Sequence, residues 1–341
     1  MKTILLSILL LVAGAGAATA QIFKSDVSKK GTTAASFLSI AQGARASSMG
    51  GAFVAVADDW SSLYWNPAGI ASLGNGVMFD HTIWFADLAY NYVGATVSLG
   101  DLGTLGMSVT ASSVGDMKVT TIAEPEGTGE VYNVSDVAFG LAYGIKLTNE
   151  FSIGFNPKLV YQRIWKMSAS ALAIDVGVKY ITPFKGITLG MAISNFGQKM
   201  QMTGQNAVVL YDSDPSSSGN NSRIPAELST GEWSLPLNFR VGVAYHPQLG
   251  DMHKITLAVD AMHPSDDYES VNVGGEYTFN DFVSFRGGYK ALFLKDSEES
   301  LTLGVGVRQP LLGNVVLMAD YAYADFGRLS SIHKITIGMS F

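Results

Sequence analysis

The chain has 341 residues, of which 48% are hydrophobic and 15% are charged, with 37 glycines and no cysteine. A typical soluble domain carries about 25% charged residues, so the composition argues against a soluble enzyme. The mean hydropathy is +0.23, yet the only long apolar run lies at the N-terminus, which argues against a helical membrane protein. The lack of cysteine excludes disulfides, zinc–thiolate sites and iron–sulfur clusters.

The charge balance gives no sign of a nucleic-acid or metal site. The chain has 22 basic and 29 acidic residues and a net charge of −7, so no basic face for nucleic acid is expected. The five histidines are scattered without metal-ligand spacing. Gly304-Val305-Gly306 lies within a strand pattern, whereas a nucleotide fingerprint needs a strand-to-helix turn. We therefore predict that the protein is not an enzyme and uses no cofactor or metal.

The first twenty residues have the pattern of a secretory signal peptide. Lys2 supplies a positive start, residues 4–12 are apolar, and Ala18-Thr19-Ala20 forms a cleavage site before Gln21. The apolar core is too short to span a bilayer as a helix. We therefore predict that residues 1–20 are removed and that the mature protein leaves the cytoplasm.

The next segment, residues 21–75, does not alternate like a strand. Gly50-Gly51 interrupts a run of small polar residues, and Asp58 is a candidate cap for a helical turn over 61–64. Asn66 is a second candidate N-cap, with Pro67 at the first helical position. These signals predict short helical elements. They are carried by Gly50, Gly51, Asp58, Asn66, Pro67, Ala68 and Gly69.

From Val77 to the C-terminus, large apolar residues alternate with small or polar ones. In residues 137–147 every odd position is large and apolar, whereas the even positions include Ala138 and Gly140. Successive side chains of a strand point to opposite faces, so each segment has one apolar face. The pattern predicts strands near 77–85, 88–99, 104–114, 135–147, 151–165, 169–182, 187–195, 235–246, 253–263, 270–279, 282–292, 301–309, 314–324 and 332–341.

These segments predict an all-β fold, a 14-stranded antiparallel transmembrane β-barrel over residues 76–341. Most have the length of about 9–11 residues that a tilted transmembrane strand needs. Short connections alternate with longer ones, which is typical of outer-membrane barrels. A soluble β-sandwich is the alternative, but its outer face would be charged, whereas here the non-apolar face is mostly Gly, Ala, Ser and Thr. We expect outer-membrane lipid around the apolar face and residues 21–75 as a short helical plug in the bore.

Six acidic and eight basic side chains face the bore according to this alternation. Two interpretations remain open: ion pairs within the interior or to the plug, and a selectivity lining for a polar solute. Asn66-Pro67 is likewise either a hinge that gates the lumen or a turn that seats the plug. The bore charges include Asp136, Lys146, Asp175, Lys179, Arg240, Asp260, Glu276, Arg286, Arg308 and Asp320.

The connection over 196–234 is long, rich in Ser and Asn, and contains no predicted strand. Segments of this kind are uncommon unless they are functional or disordered. As a hypothesis, this connection caps the barrel on the outside or docks a partner.

The last strand places Ile335, Ile337, Met339 and the terminal Phe341 on one face. A C-terminal strand that ends in Phe with this alternation resembles the signal that the barrel assembly machinery reads. The resemblance implies that this machinery is a partner during assembly.

The stretch from Gly43 to Gly69, with Met49-Gly50-Gly51-Ala52 and Asn66-Pro67-Ala68-Gly69, resembles the opening of the PorV/PorQ family of outer-membrane proteins. More distantly it resembles the FadL long-chain fatty-acid transporters, whose N-terminal plug carries a similar Asn-Pro-Ala motif. The resemblance implies a 14-stranded barrel in the outer membrane of a Gram-negative bacterium.

What the resemblance implies for function depends on the branch. PorV-like proteins serve the type IX secretion system, where they partner the translocon and handle cargo C-terminal domains. PorQ-like proteins belong to the cell-surface attachment complex of that system. FadL-like proteins bind hydrophobic substrates in the lumen and release them sideways into the membrane. We therefore expect a non-catalytic component of secretion or surface attachment, with a FadL-like transporter of hydrophobic small molecules as the alternative.

Overall fold

The computed structural model describes residues 29–247, 249–250, 252–294, 297–311 and 313–341. The predicted signal peptide lies outside these residues. Long strands form the wall of the molecule: β1 (Gly76–Ile83), β2 (Ala89–Ser98), β3 (Thr104–Ser113), β4 (Val134–Lys146), β5 (Phe151–Ile164), β6 (Met167–Ile181), β7 (Ile187–Gly197), β8 (Asn238–Tyr245), β9 (His253–Pro264), β10 (Ser270–Phe279), β11 (Val283–Leu292), β12 (Leu301–Pro310), β13 (Val316–Asp325) and β14 (Ser331–Ser340).

Each of these strands pairs antiparallel with the next one along the chain, and β14 returns to β1, where Gly76 lies opposite Ser340. The prediction of a closed, 14-stranded antiparallel barrel is confirmed. The predicted strand ends agree with the observed ends to within three residues. The largest difference is at β8, which begins at Asn238 rather than at residue 235. Pro236 has no N–H to give to a ladder there.

The two faces of the wall differ as the alternation predicts. The outward-facing Leu141 and Leu172 are 54% and 58% exposed, whereas the inward-facing Ala142 is 1% exposed. Hydrocarbon tails can cover such an apolar outer face, and a closed ladder leaves no unpaired strand edge in the bilayer. Among the described residues, no helix has the length and apolarity needed to cross a membrane.

The two rims of the barrel are built differently. We call the rim with short connections the turn end and the opposite rim the loop end. In outer-membrane barrels short turns face the periplasm and long loops face outward. The loop-end connections contain small paired strands, so the 196–234 connection has local order that the sequence did not predict. The pairs are Met117–Lys118 with Val131–Tyr132, Met200–Gln201 with Glu232–Trp233, and Val208–Tyr211 with Ile224–Glu227.

Residues 29–75, which we call the plug, run through the bore from the loop end to the turn end. At the loop end, the Ala34 N–H donates to the Ser234 carbonyl at 2.9 Å. At the turn end, the Asn75 carbonyl accepts from the Phe341 N–H at 3.1 Å. Between these points lie two short helices, α1 (Ala44–Ser48) and α2 (Ser62–Trp65), and 3₁₀ turns over Ser36–Ser39 and Pro67–Ser72.

Candidate functional site

The plug backbone lies directly against inward-facing glycines of the wall. A β-carbon at Gly190 would overlap the backbone of Val54, and one at Gly154 would overlap Pro67. Wall glycines therefore make the space that the plug fills, and any side chain at these positions would displace it. Other wall glycines that face plug atoms at this range are Gly106, Gly144, Gly177, Gly242, Gly274, Gly288 and Gly304.

The diglycine turns the plug where it passes β10, β11 and β12. Gly50 and Gly51 have φ of +67° and +73°, in the left-handed region that favours glycine. The Gly50 N–H donates to the Thr302 hydroxyl at 2.9 Å. A β-carbon at Gly50 would come within 2.7 Å of the Val273 carbonyl oxygen. Glycine is thus required both by the backbone conformation and by the close approach to the wall.

Asn66 caps the 3₁₀ turn over Pro67–Ser72, as the sequence predicts. Its Oδ1 accepts from the Ala68 N–H at 3.1 Å. Its side-chain amide also donates to the carbonyls of Val54 at 2.8 Å and of Val178 at 3.0 Å. Ala68 is fully buried, and a β-carbon at Gly69 would overlap the Ala57 carbonyl. These bonds support a turn that seats the plug rather than a hinge.

The expectation that Asp58 caps the preceding helical turn was wrong. Asp59 accepts from the Ser61 N–H at 2.8 Å and from the Ser61 hydroxyl at 2.5 Å. Asp58 instead pairs with the Arg45 guanidinium at 2.5 Å. The Asp58 carboxylate accepts a charge-assisted bond from Arg45, which is stronger than a bond from a neutral backbone N–H would be.

Buried ionic side chains of the wall bind the plug backbone. Asp260 is fully buried and accepts from the N–H groups of Phe53 at 2.7 Å and Val54 at 2.8 Å. Because the groups are desolvated, these bonds are costly to lose. Three more wall residues act in the same way: Lys179 donates to the carbonyls of Val56 and Ala57, Lys334 donates to that of Ala41, and Asp80 accepts from the Gly43 N–H.

Arg45 on α1 is the centre of an ion-pair network between plug and wall. Its guanidinium donates to both Glu276 oxygens, at 2.8 and 2.7 Å. Glu276 also accepts from Arg286 at 2.5 Å, and Arg286 pairs with Asp320 at 2.6 Å. Three of the predicted bore charges therefore come together around a plug residue. Their pairing offsets the desolvation of each charge.

The remaining predicted bore charges lie apart from this network. Arg240 is buried, and its guanidinium stacks on the rings of Tyr64 and Trp65, 5.3 and 4.9 Å from the ring centroids. Lys146 and Arg308 are exposed at the turn end. In the described part of the chain, neither has an ion-pair partner. Asp175 pairs with Lys158 at 2.8 Å, and Asp136 accepts from Gln162 at 2.8 Å.

Cavities adjoin the plug at both ends. The cavity at the turn end has a volume of about 870 Å³ and is lined by ionic side chains that include Arg45, Asp58 and Arg308. The cavity at the loop end has a volume of about 350 Å³. It is lined by aromatic rings, Phe37, Trp84, Tyr90 and Phe326, with Lys290 and Glu299 among its polar residues.

Sequence reasoning missed the plug side of these contacts. Arg45 and Asp59 lie inside the motif that carries the family resemblance, but neither was singled out. Thr336, which binds the plug from β14, was not singled out either. The sequence signal that could have revealed this contact is Arg45, a single arginine in a stretch of small residues before the barrel strands.

Comparison with known proteins gives a family and a fold. A family model described as type IX secretion system protein PorV matches residues 23–263. A search of curated proteins finds no match. Among solved structures, the toluene transporter TbuX from Ralstonia pickettii is similar, with 13% identity, 87% of this chain and 97% of that chain covered, and a TM-score of 0.53.

Two further structures are similar. The toluene transporter TodX from Pseudomonas putida has 12% identity, with 87% of this chain and 96% of that chain covered, and a TM-score of 0.51. A FadL homologue from Pseudomonas aeruginosa has 11% identity, with 85% and 95% covered, and a TM-score of 0.48. For TbuX and TodX, likeness at such low identity shows a shared barrel fold alone, because one fold hosts many functions.

Proposed function

Because the chain belongs to the PorV family of type IX secretion system proteins, we propose that it is a non-catalytic outer-membrane component of protein secretion or surface attachment. In this proposal the protein works through its loop-end surface, where it meets the translocon, surface-attachment proteins or cargo. The observation that carries the proposal is an apolar two-stranded hairpin beyond the barrel. We call it the outer hairpin (Val208–Tyr211 paired with Ile224–Glu227).

The outer hairpin exposes apolar side chains on both faces. Leu210 and Tyr211, which point to opposite faces, are 57% and 56% exposed. Within the described residues, the two strands of the hairpin pair only with each other, so both outer edges are open. Exposed apolar patches and open strand edges are typical of protein-binding surfaces.

The filled bore supports a function at the surface rather than conduction. The plug contacts the wall through its backbone at the glycine positions and through the Arg45 network. A general porin instead needs a water-filled channel along its axis. The charged residues of the bore are used mainly to hold the plug, which leaves little of a selectivity lining.

Among the described residues the outer hairpin shares no ladder with the barrel strands, so we expect the barrel to fold without it. Val208 lies opposite Glu227, so replacing residues 209–226 by Asn-Gly closes the strands with a tight turn. We expect the tagged variant to lose co-purification of the translocon from solubilised outer membranes and to reduce cargo secretion. Its heat-modifiable migration on gels, which reports the folded barrel, should be unchanged.

The matched control shortens only the polar tip. Tyr211 lies opposite Ile224, so replacing residues 212–223 by Asn-Gly keeps both apolar strands. This variant should retain translocon binding. If both variants bind like the wild type, the hairpin is not the docking element, and if the wild type captures no secretion component, the proposed function is wrong.

The loop-end cavity favours a second candidate function, binding of a hydrophobic small molecule. Its volume of about 350 Å³ and its aromatic lining are typical of small-molecule pockets. Ala324 lines this cavity, whereas Ala319 on the same strand faces outward. If the cavity holds an apolar ligand, native mass spectrometry of the extracted protein should find it in the wild type and in Ala319→Trp. It should be absent from Ala324→Trp, which fills the cavity.

The chain ends are part of the proposal. We propose that residues 1–20 are cleaved during export, that residues 21–75 form the plug and that residues 76–341 form the barrel in a Gram-negative outer membrane. Ile335, Ile337, Met339 and Phe341 lie on the exposed outer face. We propose that the barrel assembly machinery reads this face.

A further inference from the structure

The loop-end cavity has aromatic sides and a lysine at its inner end. Its volume is about 350 Å³. The Trp84 ring centroid lies 5.9 Å from that of Tyr90 and 5.4 Å from that of Phe326, with planes inclined by 89° and 72°. Lys334 lines the cavity from β14, two residues further into the bore than Ile332. An apolar pocket with one charged group at its end is suited to a ligand that has an apolar body and a polar head.

Lys334 is a buried cation that lacks a carboxylate partner within the described part of the chain. Its side chain is 1% exposed. The ammonium donates to the Thr82 hydroxyl at 2.7 Å and to the Ala41 carbonyl, which are both uncharged groups. An ammonium has three N–H donors, so these two bonds leave one over. Because a buried charge without a counter-charge is costly, an anion in the cavity would lower the free energy of this site.

The other charged groups near the cavity do not neutralise Lys334. Asp80 lies on the adjacent strand β1, but beyond ion-pair distance, and its oxygens accept from a hydroxyl of β14 and from a backbone N–H of the plug. Glu299 and Lys290 also line the cavity, and they pair with each other at 2.5 Å. The lining therefore carries two positive charges and one negative charge, in a chain whose net charge is −7.

The shape of the cavity favours a compact aromatic ligand. The rings of Trp84, Tyr90 and Phe326 meet edge to face, which is an arrangement that aromatic pairs prefer. A ligand ring extends this array, whereas an alkyl chain gains only the burial of its surface. The plug closes the cavity towards the bore, since Ser47 of α1 and Gly51 line it. A long chain therefore has no room to continue past Lys334.

We propose that the loop-end cavity binds a compact aromatic carboxylate. The carboxylate accepts charge-assisted hydrogen bonds from the Lys334 ammonium, and the ring packs among Trp84, Tyr90 and Phe326. This inference rests on the second candidate function, binding of a hydrophobic small molecule, and names the class of that molecule. A neutral arene would leave Lys334 without a counter-charge.

The test measures binding of 2-naphthoate to the full chain in lipid nanodiscs by calorimetry, with empty nanodiscs as the blank. The uncharged comparison is 2-naphthamide, which has the same ring system. In Lys334→Met we expect the preference for 2-naphthoate over 2-naphthamide to fall at least about tenfold. The matched control is Lys179→Met, because Lys179 also donates to plug carbonyls but does not line this cavity. It should keep the preference of the wild type.

Two further measurements test the cavity and the shape of its ligand. Ala324→Trp should abolish binding of both naphthalene compounds, because it fills the cavity. Undecanoate, which has as many non-hydrogen atoms as 2-naphthoate, should bind more weakly than 2-naphthoate. The inference is overturned if Lys334→Met keeps the preference, if Lys179→Met loses it equally, or if undecanoate binds more tightly.

The same data separate this inference from the function on which it rests. If Lys334→Met keeps the preference while Ala324→Trp abolishes binding of 2-naphthamide, the cavity binds apolar molecules but does not select an anion. If the wild type binds neither naphthalene compound and carries no apolar ligand in native mass spectrometry, the second candidate function is wrong as well.

Discussion

At the scale of single residues, the Thr336 hydroxyl connects three parts of the molecule. It lies on β14, donates to Asp80 on β1 at 2.5 Å and accepts from the Ala44 N–H of the plug at 2.8 Å. Both Thr336 and Asp80 are buried, at 6% and 0% exposed. The plug therefore fastens the seam where the first and last strands close the barrel.

Thr336→Val keeps the size of the side chain and removes this connection. It leaves the Ala44 N–H and one Asp80 oxygen without a partner, and buried polar groups left unpaired cost about 1–3 kcal/mol. We expect a lower unfolding temperature in heat-modifiability gels and in circular dichroism. The control is Thr278→Val, whose hydroxyl bonds Ser284 on the neighbouring strand at 2.9 Å. Equal losses in the two variants would show that the seam has no special role.

At the scale of elements, the sequence predicted what is local and missed what is distant. The strands follow from period-two alternation, because the side-chain direction in a strand depends only on its neighbours along the chain. The Asn66 cap is also local, since its partner Ala68 is two residues away. Arg45 and Glu276 are 231 positions apart, so no local sequence pattern predicts their contact. A charged bore with a plug in it was therefore predicted, but the individual contacts between plug and wall were not.

The glycines of β10 provide a test of the contact between plug and wall. A β-carbon at Gly274 would overlap the Met49 carbonyl, whereas one at Gly275, on the outer face, would meet Leu257 at an ordinary 3.4 Å. We expect Gly274→Ala to displace the plug, lower the unfolding temperature and raise ion conductance in planar bilayers. Gly275→Ala should stay within about 0.5 kcal/mol of the wild type. Unchanged conductance and stability in Gly274→Ala would contradict the close seating of the plug.

At the scale of the whole molecule, the plug crosses the thickness of the barrel inside its bore. On the way it passes along more than half of the wall, from Lys334 on β14 past Asp260 on β9 to Lys179 on β6. The chain therefore starts its described path at the loop end and enters β1 at the turn end. The plug bonds to both strands of the seam, Asp80 on β1 and Thr336 on β14, so it stabilises the closed barrel.

This path predicts which side of the membrane each end of the plug occupies. The chain has no cysteine, so single cysteines can report it. Thr32 is exposed at the loop end, and Asp101 is exposed in the turn between β2 and β3. We expect a membrane-impermeant maleimide to label Thr32→Cys on intact cells, because the loop end faces outward. Asp101→Cys should be labelled only after the outer membrane is permeabilised, and the reverse pattern would place the plug entrance in the periplasm.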